Sequence, residues 1–310
     1  MGYLMYSGNP SSLCLAGAAR AAFCSLLLLA LCGPVTGQEA VKSPEPVLSA
    51  GGTSAAVSVP QQIEGFNLSG YSQGGEKSWD IKGDSADVNG NKVAVSKVNA
   101  NTYGQQDTNL MAEKGVIDKL TGDIYLESNV VITSQDGVRM KTDTLDWERD
   151  KDLVRTEDIV TLEDEIMKIK GTGMEARPSL KAAKLQSRVT ADIKTQTRDK
   201  KGGSIQITSD GPMEIDQNTQ MAVFRENVVA VEAETGRVLK ADRMEVRFDE
   251  KTRRIREIVC VGHVTVEQGN NVTSSESLIY KADEQRMVLI GKPKLILDPK
   301  DNTSGDLFKF

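Results

Sequence analysis

The side chains able to do chemistry are few, and most of them repeat. Among 310 residues there is one histidine, His263, and there are four cysteines, of which only Cys260 lies beyond the first 37 residues. A single imidazole cannot build a zinc site, which takes three or four ligands. No Ser/His/Asp or Cys/His set exists that does not rest on His263 alone, and no Gly-rich run has the spacing that cradles a phosphate. Acidic residues are plentiful, 44 against 38 Lys and Arg, so the enzyme chemistry that the composition leaves open is a carboxylate pair acting on a polysaccharide. Yet Asp118, Asp216 and Asp249 recur at one turn position, where an Asp accepts hydrogen bonds from its own backbone. His263 stands where other copies of the same unit carry Asn129, Asp158 and Asn227, which makes it a turn residue. Cys260, set in Ile-Val-Cys-Val, is expected to be buried, as suits a lone thiol in an oxidising compartment. No catalytic residue, metal or cofactor is expected. The net charge of -6 speaks against nucleic acid as a partner.

The elements that position these residues form a repeat. Copies run over Ile117–Ile132, Trp147–Leu162, Ile215–Val231, Phe248–Val266 and Tyr280–Ile296, with a degraded one near Arg177–Ala191. Their starts are separated by 30, 68, 33 and 32 residues, and the gap of 68 has room for the degraded copy. Each copy has an apolar residue, an acidic turn with Thr, a partly apolar run, a polar or Gly break, and a Val-x-Val alternation. No window carries an apolar stripe of helical period, so the fold class is all-β: repeated strand pairs forming a stacked structure. Met244, Val246 and Phe248 alternate with Arg243, Glu245, Arg247 and Asp249, giving one apolar and one charged face. Ile124 and Leu126 keep phase with Val130 and Ile132, Ala222 and Phe224 with Val228 and Ala230, and Ile258 and Cys260 with Val264 and Val266. With Leu278 and Tyr280, these positions line one continuous apolar interior. Such a ribbon either closes on itself as a dry core or stays parted as a groove for something greasy; alternation alone does not separate the two.

Composition divides the chain. Residues 1–37 read as a targeting segment, with Arg20 ahead of the apolar run Ala21–Gly33 and small residues near Gly37. A membrane span needs about 20 apolar residues, so a cleaved signal is expected; an imperfect anchor running back past Arg20 is the alternative. Lipidation at Cys32 is disfavoured by the bulk of Leu31. Residues 38–62 are a Pro/Ser/Ala/Gly linker. A first β module covers 63–198, a junction 199–203, a second module 204–298, and a polar tail 299–310.

The second module resembles the OstA-like domain of the LptA family in IQITSDGPMEIDQNTQMAVFRENVVAV, KADRMEVRFDEKTRRIREIVCVGHVTVEQG and SLIYKADEQRMVLIGKPKLIL. The first is similar to the LptC family in GFNLSGY…WDIKGDSADV, GVIDKLTGDIYLESNVVITSQDGVRMKTDTLDWERDKDLVRTEDIVTL and IKGTGMEARPSLKAAKLQSRV. The resemblance implies an open twisted β-jellyroll in a periplasmic bridge that carries lipopolysaccharide or a related lipid from inner to outer membrane, acyl chains inside. It also implies other bridge proteins as partners through edge-strand pairing, and an inner-membrane ABC transporter complex. The groove residues expected to meet lipid are Ile124, Leu126, Val130, Ile132, Ala222, Phe224, Val228, Met244, Val246, Phe248, Ile258, Val264, Val266, Leu278 and Tyr280. Three features depart from the family pattern: both partners lie in one chain, the N-terminal segment looks cleavable, and the net charge is negative. Arg243, Arg247, Arg253, Arg254 and Arg256 are candidates for local positive charge, though solvated faces and turns account for them more simply. The alternatives are an extracytoplasmic scaffold with a closed β core, and a polysaccharide-active β-solenoid enzyme.

Overall fold

Alternating apolar and polar residues over short runs leave a chain one way to satisfy its backbone, by pairing with the next run across a turn. The computed structural model describes residues 61–296, apart from 73, 104–106, 136, 196–202 and 285. The first half holds β1 (Gln61–Tyr71), β2 (Lys77–Asn89), β3 (Lys92–Thr102), β4 (Thr108–Asp118), β5 (Ile124–Ser134), β6 (Arg139–Glu148), β7 (Leu153–Glu163), β8 (Met167–Arg177) and β9 (Ala182–Thr195). The second holds β10 (Gly203–Ser209), β11 (Met213–Asp216), β12 (Met221–Glu232), β13 (Val238–Phe248), β14 (Ile255–Gln268), β15 (Asn271–Lys281), β16 (Arg286–Ile290) and β17 (Lys294–Ile296). The expected signal (1–37), nearly all of the linker (38–62), most of the junction (199–203) and the tail (299–310) lie outside the described residues.

All 17 strands belong to one sheet, and all pairings are antiparallel, between strands that follow one another in sequence except at two interrupted strands. β10 and β11 are two pieces of one strand, laid between β9 and β12; β16 and β17 likewise both lie on β15. The fold is all-β, as expected from the repeat, and jellyroll-like, as the resemblance implied. Its turns carry the acids singled out in the sequence. Oδ1 of Asp118 accepts the N–H groups of Leu120 and Thr121, that of Asp216 those of Asn218 and Thr219, and that of Asp249 those of Lys251 and Thr252. Three turns thus satisfy their own donors, which is why the acid repeats.

A sheet with one apolar face must cover that face. Here the sheet folds over along a line that crosses the strands near their midpoints, so its two arms pack face to face. The line is visible in the register. On β5, β7, β12 and β14 three residue steps oppose two on the partner, at Glu127–Val130, Thr156–Ile159, Arg225–Val228 and Val261–Val264. β9 does the same against β8 at Ser187–Thr190. These insertions are β-bulges, which bend the strand that carries them. Most hold residues at positive φ: Ser128 and Asn129, Arg188, Glu226 and Asn227, Gly262 and His263. At Gly262 (φ 81) a Cβ would also run into the Asp242 carboxylate, so glycine is required there twice over.

The first and second halves join through this same ladder. β9 pairs with β10 over Gly203–Ser209 and with β11 over Met213–Asp216, and Val189, Ala191 and Ile193 share a buried cluster with Ile207, Met213 and Ile215. The covalent link is therefore not what holds the halves together. A protease site placed between Thr195 and Gly203 is expected to be cut without separating them. The two fragments should co-elute at the intact mass on gel filtration and part only in denaturant; separation in buffer would contradict this.

Candidate functional site

The interior of the folded sheet is built by a parity rule. On β5, Leu126 and Val130 are four residues apart, and both point inward; their partners on β6, Leu145 and Thr142, are three apart. An inserted residue lets β5 keep one inward phase, so β6, which has one residue fewer, must change phase at the fold line. The buried set on β6 accordingly steps from Met140 and Thr142 to Leu145 and Trp147. On β8 it steps from Ile169 to Met174 and Ala176, and on β13 from Leu239 and Ala241 to Met244, Val246 and Phe248. Bulged and phase-switching strands alternate from β4 to β9 and again from β12 to β15, and both kinds deliver apolar side chains to the same side.

The structure brings together every groove residue expected from the sequence. Leu126, Val130, Ile132, Ala222, Phe224, Val228, Met244, Val246, Phe248, Ile258, Val264, Val266 and Leu278 belong to one buried cluster, and Ile124 and Tyr280 pack against it. The same cluster contains residues the sequence reading missed: Met140, Leu145, Trp147, Val160, Ile169, Met174, Leu185, Ile207 and Met213. Most of those lie on phase-switching or interrupted strands, where a search for unbroken alternation stops at the fold line. The signal that finds them is the neighbouring bulge, since it obliges the partner to switch. The cluster spans both halves. At its middle the arms are in contact, and Val130, Met244 and Val246 are each 0% exposed. At the first strands the in-phase apolar residues are open to solvent, with Ile63 47%, Leu68 56% and Trp79 40% exposed. At the last strands the in-phase Leu295 is again exposed.

Polar groups mark the rim and the outside. Asp80, on the outer side of β2, is buried beneath Lys77, Asn101 and Tyr103, with Asn101 Nδ2 at 2.8 Å and Tyr103 Oη at 2.9 Å donating to it. The Asn101 amide and the Lys77 ammonium hold its carboxyl down at about 2, against the opposing effect of burial. Near the far end, Arg237 donates to Gln268 Oε1 and faces Glu232, and burial pushes the Tyr280 phenol up, with the Glu232 carboxylate adding to it. On the outer face Arg243 and Arg247 pair with Glu245, and Arg247 also with Glu257.

The residues that first suggested chemistry are accounted for by the fold line. His263 Nδ1 lies 2.8 Å from Asp242 Oδ2, Asn227 Nδ2 donates to Asp210 at 2.8 Å, Asn129 donates to Glu113, and Thr144 donates to Asp158 at 2.6 Å. The break residue of each repeat therefore ties its strand to a neighbour where both bend. Glu113, Glu127, Asp143 and Asp158 line an open cleft there. Cys260 is wholly buried, and burial pushes its thiol up to about 12. Among the described residues no three His, Cys, Asp or Glu side chains converge on a point where a metal could sit, and no helix is long and apolar enough to cross a membrane.

Fold and interior together define an all-β, jellyroll-like folded sheet with one continuous apolar interior. Residues 26–195 match the family described as lipopolysaccharide-assembly, LptC-related, and the chain belongs to that family. Residues 206–309 match a second one, LptA/(LptD N-terminal domain) LPS transport protein. The resemblance drawn from sequence thus holds in both halves, and the matches indicate a component of a lipopolysaccharide transport bridge. No curated protein matches the chain.

Two predictions follow from this geometry. Phe224→Ala empties a fully buried site and should lower unfolding free energy by about 3–5 kcal/mol, whereas Arg247→Ala on the outer face should change it by less than about 1 kcal/mol, both read from urea titrations. Asp80 has a folded pKa depressed from 3.8 to about 2, so its contribution is present above 3.8 and lost as pH falls through 2. Between those pH values the wild type should lose stability that an Asp80→Asn variant, less stable at neutral pH, does not lose; parallel curves would contradict this.

Proposed function

We propose that this protein is a periplasmic segment of a bridge that carries lipopolysaccharide from the inner to the outer membrane, its acyl chains in the apolar interior and its polar head outside. The observation that carries the reading is the single apolar cluster running through both family-matched halves, flanked at each end of the sheet by solvent-exposed apolar residues. The physical need is clear. A buried CH₂ is worth about 0.8 kcal/mol, so an acyl chain of a dozen methylenes resists water by roughly 10 kcal/mol. Crossing an aqueous gap thus demands an unbroken apolar path. A chain sliding between the arms replaces apolar wall contacts with apolar lipid contacts, so parting the arms forfeits little burial.

In this reading residues 63–198 form the LptC-like module and 204–298 the LptA-like module, joined at 199–203, with an N-terminal signal or anchor ahead of the linker. Among the described residues, β1 at one end and β16 and β17 at the other are the edges of the sheet, and adjoining jellyrolls pair with them. An ABC transporter complex in the inner membrane supplies the lipid. A second reading, a closed scaffold without lipid, is favoured by the wall contact at Met244 and Val246. Photo-crosslinkers at Ile132 and Phe248, and at outer-face Arg247 as control, separate the two when purified protein meets lipopolysaccharide vesicles. Labelling from the two interior positions alone supports transport. Labelling only from Arg247, together with no lipid on mass spectrometry of the purified protein, supports the scaffold.

A further inference from the structure

An antiparallel meander sends successive turns to alternate edges of its sheet. The turn between β7 and β8, residues 164–166, therefore lies on one long edge, and the turn between β13 and β14, residues 249–254, on the other. These are the two lips of the folded shell. An ion pair joins them: Arg253 Nη2 donates to Asp164 Oδ2. The partners are 89 residues apart and belong to different family-matched halves.

Both ends of this contact are built rather than incidental. Asp164 Oδ1 accepts the N–H groups of Ile166 and Met167, each at 2.7 Å, which aims Oδ2 across the gap. Arg253 is held at positive φ, and its N–H donates to the Asp249 carbonyl at 2.9 Å, in the turn that Asp249 also caps. The Asp164 and Arg253 side chains are only 7% and 16% exposed, unlike the solvated pairs on the outer face. Leu162, Met167 and Ile255, beside the pair in sequence, pack against the apolar cluster.

We propose that Arg253 and Asp164 form a clasp that gates lipid passage from the first module to the second. This rests on the transport reading above. An amphipathic lipid whose chains run inside the shell must carry its polar head along the gap between the lips, because an apolar interior cannot hold unpaired polar groups. A pair spanning that gap obstructs the head, so each lipid that moves on must open it. Charge-paired contacts suit this duty, since they re-form by geometry and do not leave apolar surface exposed while open.

The test uses the full chain with Cys14, Cys24 and Cys32 changed to Ser and with Asp164→Cys and Arg253→Cys, bridged by dibromobimane. Cys260 is buried and does not compete for the reagent. A photo-crosslinker is placed at Ile132, on β5 ahead of both clasp turns, or at Leu278, on β15 beyond them, and the probe is purified lipopolysaccharide in phospholipid vesicles. Bridging should leave labelling at Ile132 unchanged and lower it at Leu278 at least tenfold. An Arg253→Gln chain, which needs no bridge, should label Leu278 several-fold faster than wild type. Unchanged labelling at Leu278 in either case, or loss at both positions on bridging, overturns the gate. Absence of labelling at both positions in the unbridged, wild-type clasp overturns the transport reading itself.

Discussion

The structure depends on one constraint: a single antiparallel sheet with one apolar face cannot leave that face in water. Two sheets solve this by stacking on each other. This chain has one continuous sheet among its described residues, so it stacks on itself. Everything distinctive about its strands follows from that fold line, from the paired positive-φ residues at Ser128 and Asn129 to the break of β10 and β11 at Asp210–Pro212. Positive φ is unfavourable for residues with a Cβ. It persists here because the side chains at these sites, Asn129, Asn227 and His263, reach acids on the next strand and fasten the bend.

Self-stacking has a functional corollary. A closed barrel would pair its first strand with its last and lose both ends and lips. A sheet folded along its midline keeps two edge strands and two lips that no strand ladder joins. Under the transport function proposed above, the edge strands suit end-to-end assembly with other jellyrolls, and the lips give a lipid head somewhere to travel. The burial gradient along the axis fits this economy, open at Leu68 and Trp79, shut at Met244 and Val246, and open again at Leu295. Lipopolysaccharide families matching both halves are consistent with a shell of this kind. Joining the halves in one chain turns an edge-to-edge contact into the internal ladder of β9 with β10 and β11.

Much was legible in the residues alone. The repeat, the all-β class and the turn role of Asp118, Asp216 and Asp249 follow from local chemistry, because an Asx turn and a period of two need only near neighbours. The burial of Cys260 and the structural role of His263 follow as well, from their settings within the repeat. Most interior residues found from sequence, such as Leu126 with Val130 and Phe224 with Val228, lie on bulged strands, where the insertion preserves phase. Met244, Val246 and Phe248 lie on one arm of a phase-switching strand, where alternation is unbroken. Residues such as Leu145, Trp147 and Leu239 were hidden because parity on their strands changes at the fold line, and that change is imposed by the partner strand.

The sequence by itself therefore determined what each strand is, which face is apolar, and where the chain can bend, since these depend on side chains a few residues apart. Only the tertiary structure decided that the bends line up, that the apolar face is covered in the middle and exposed at the ends, and that Arg253 meets Asp164. Those are relations between residues many strands apart. They are set by the twist and closure of the whole sheet, and no local pattern encodes the distance between its two lips.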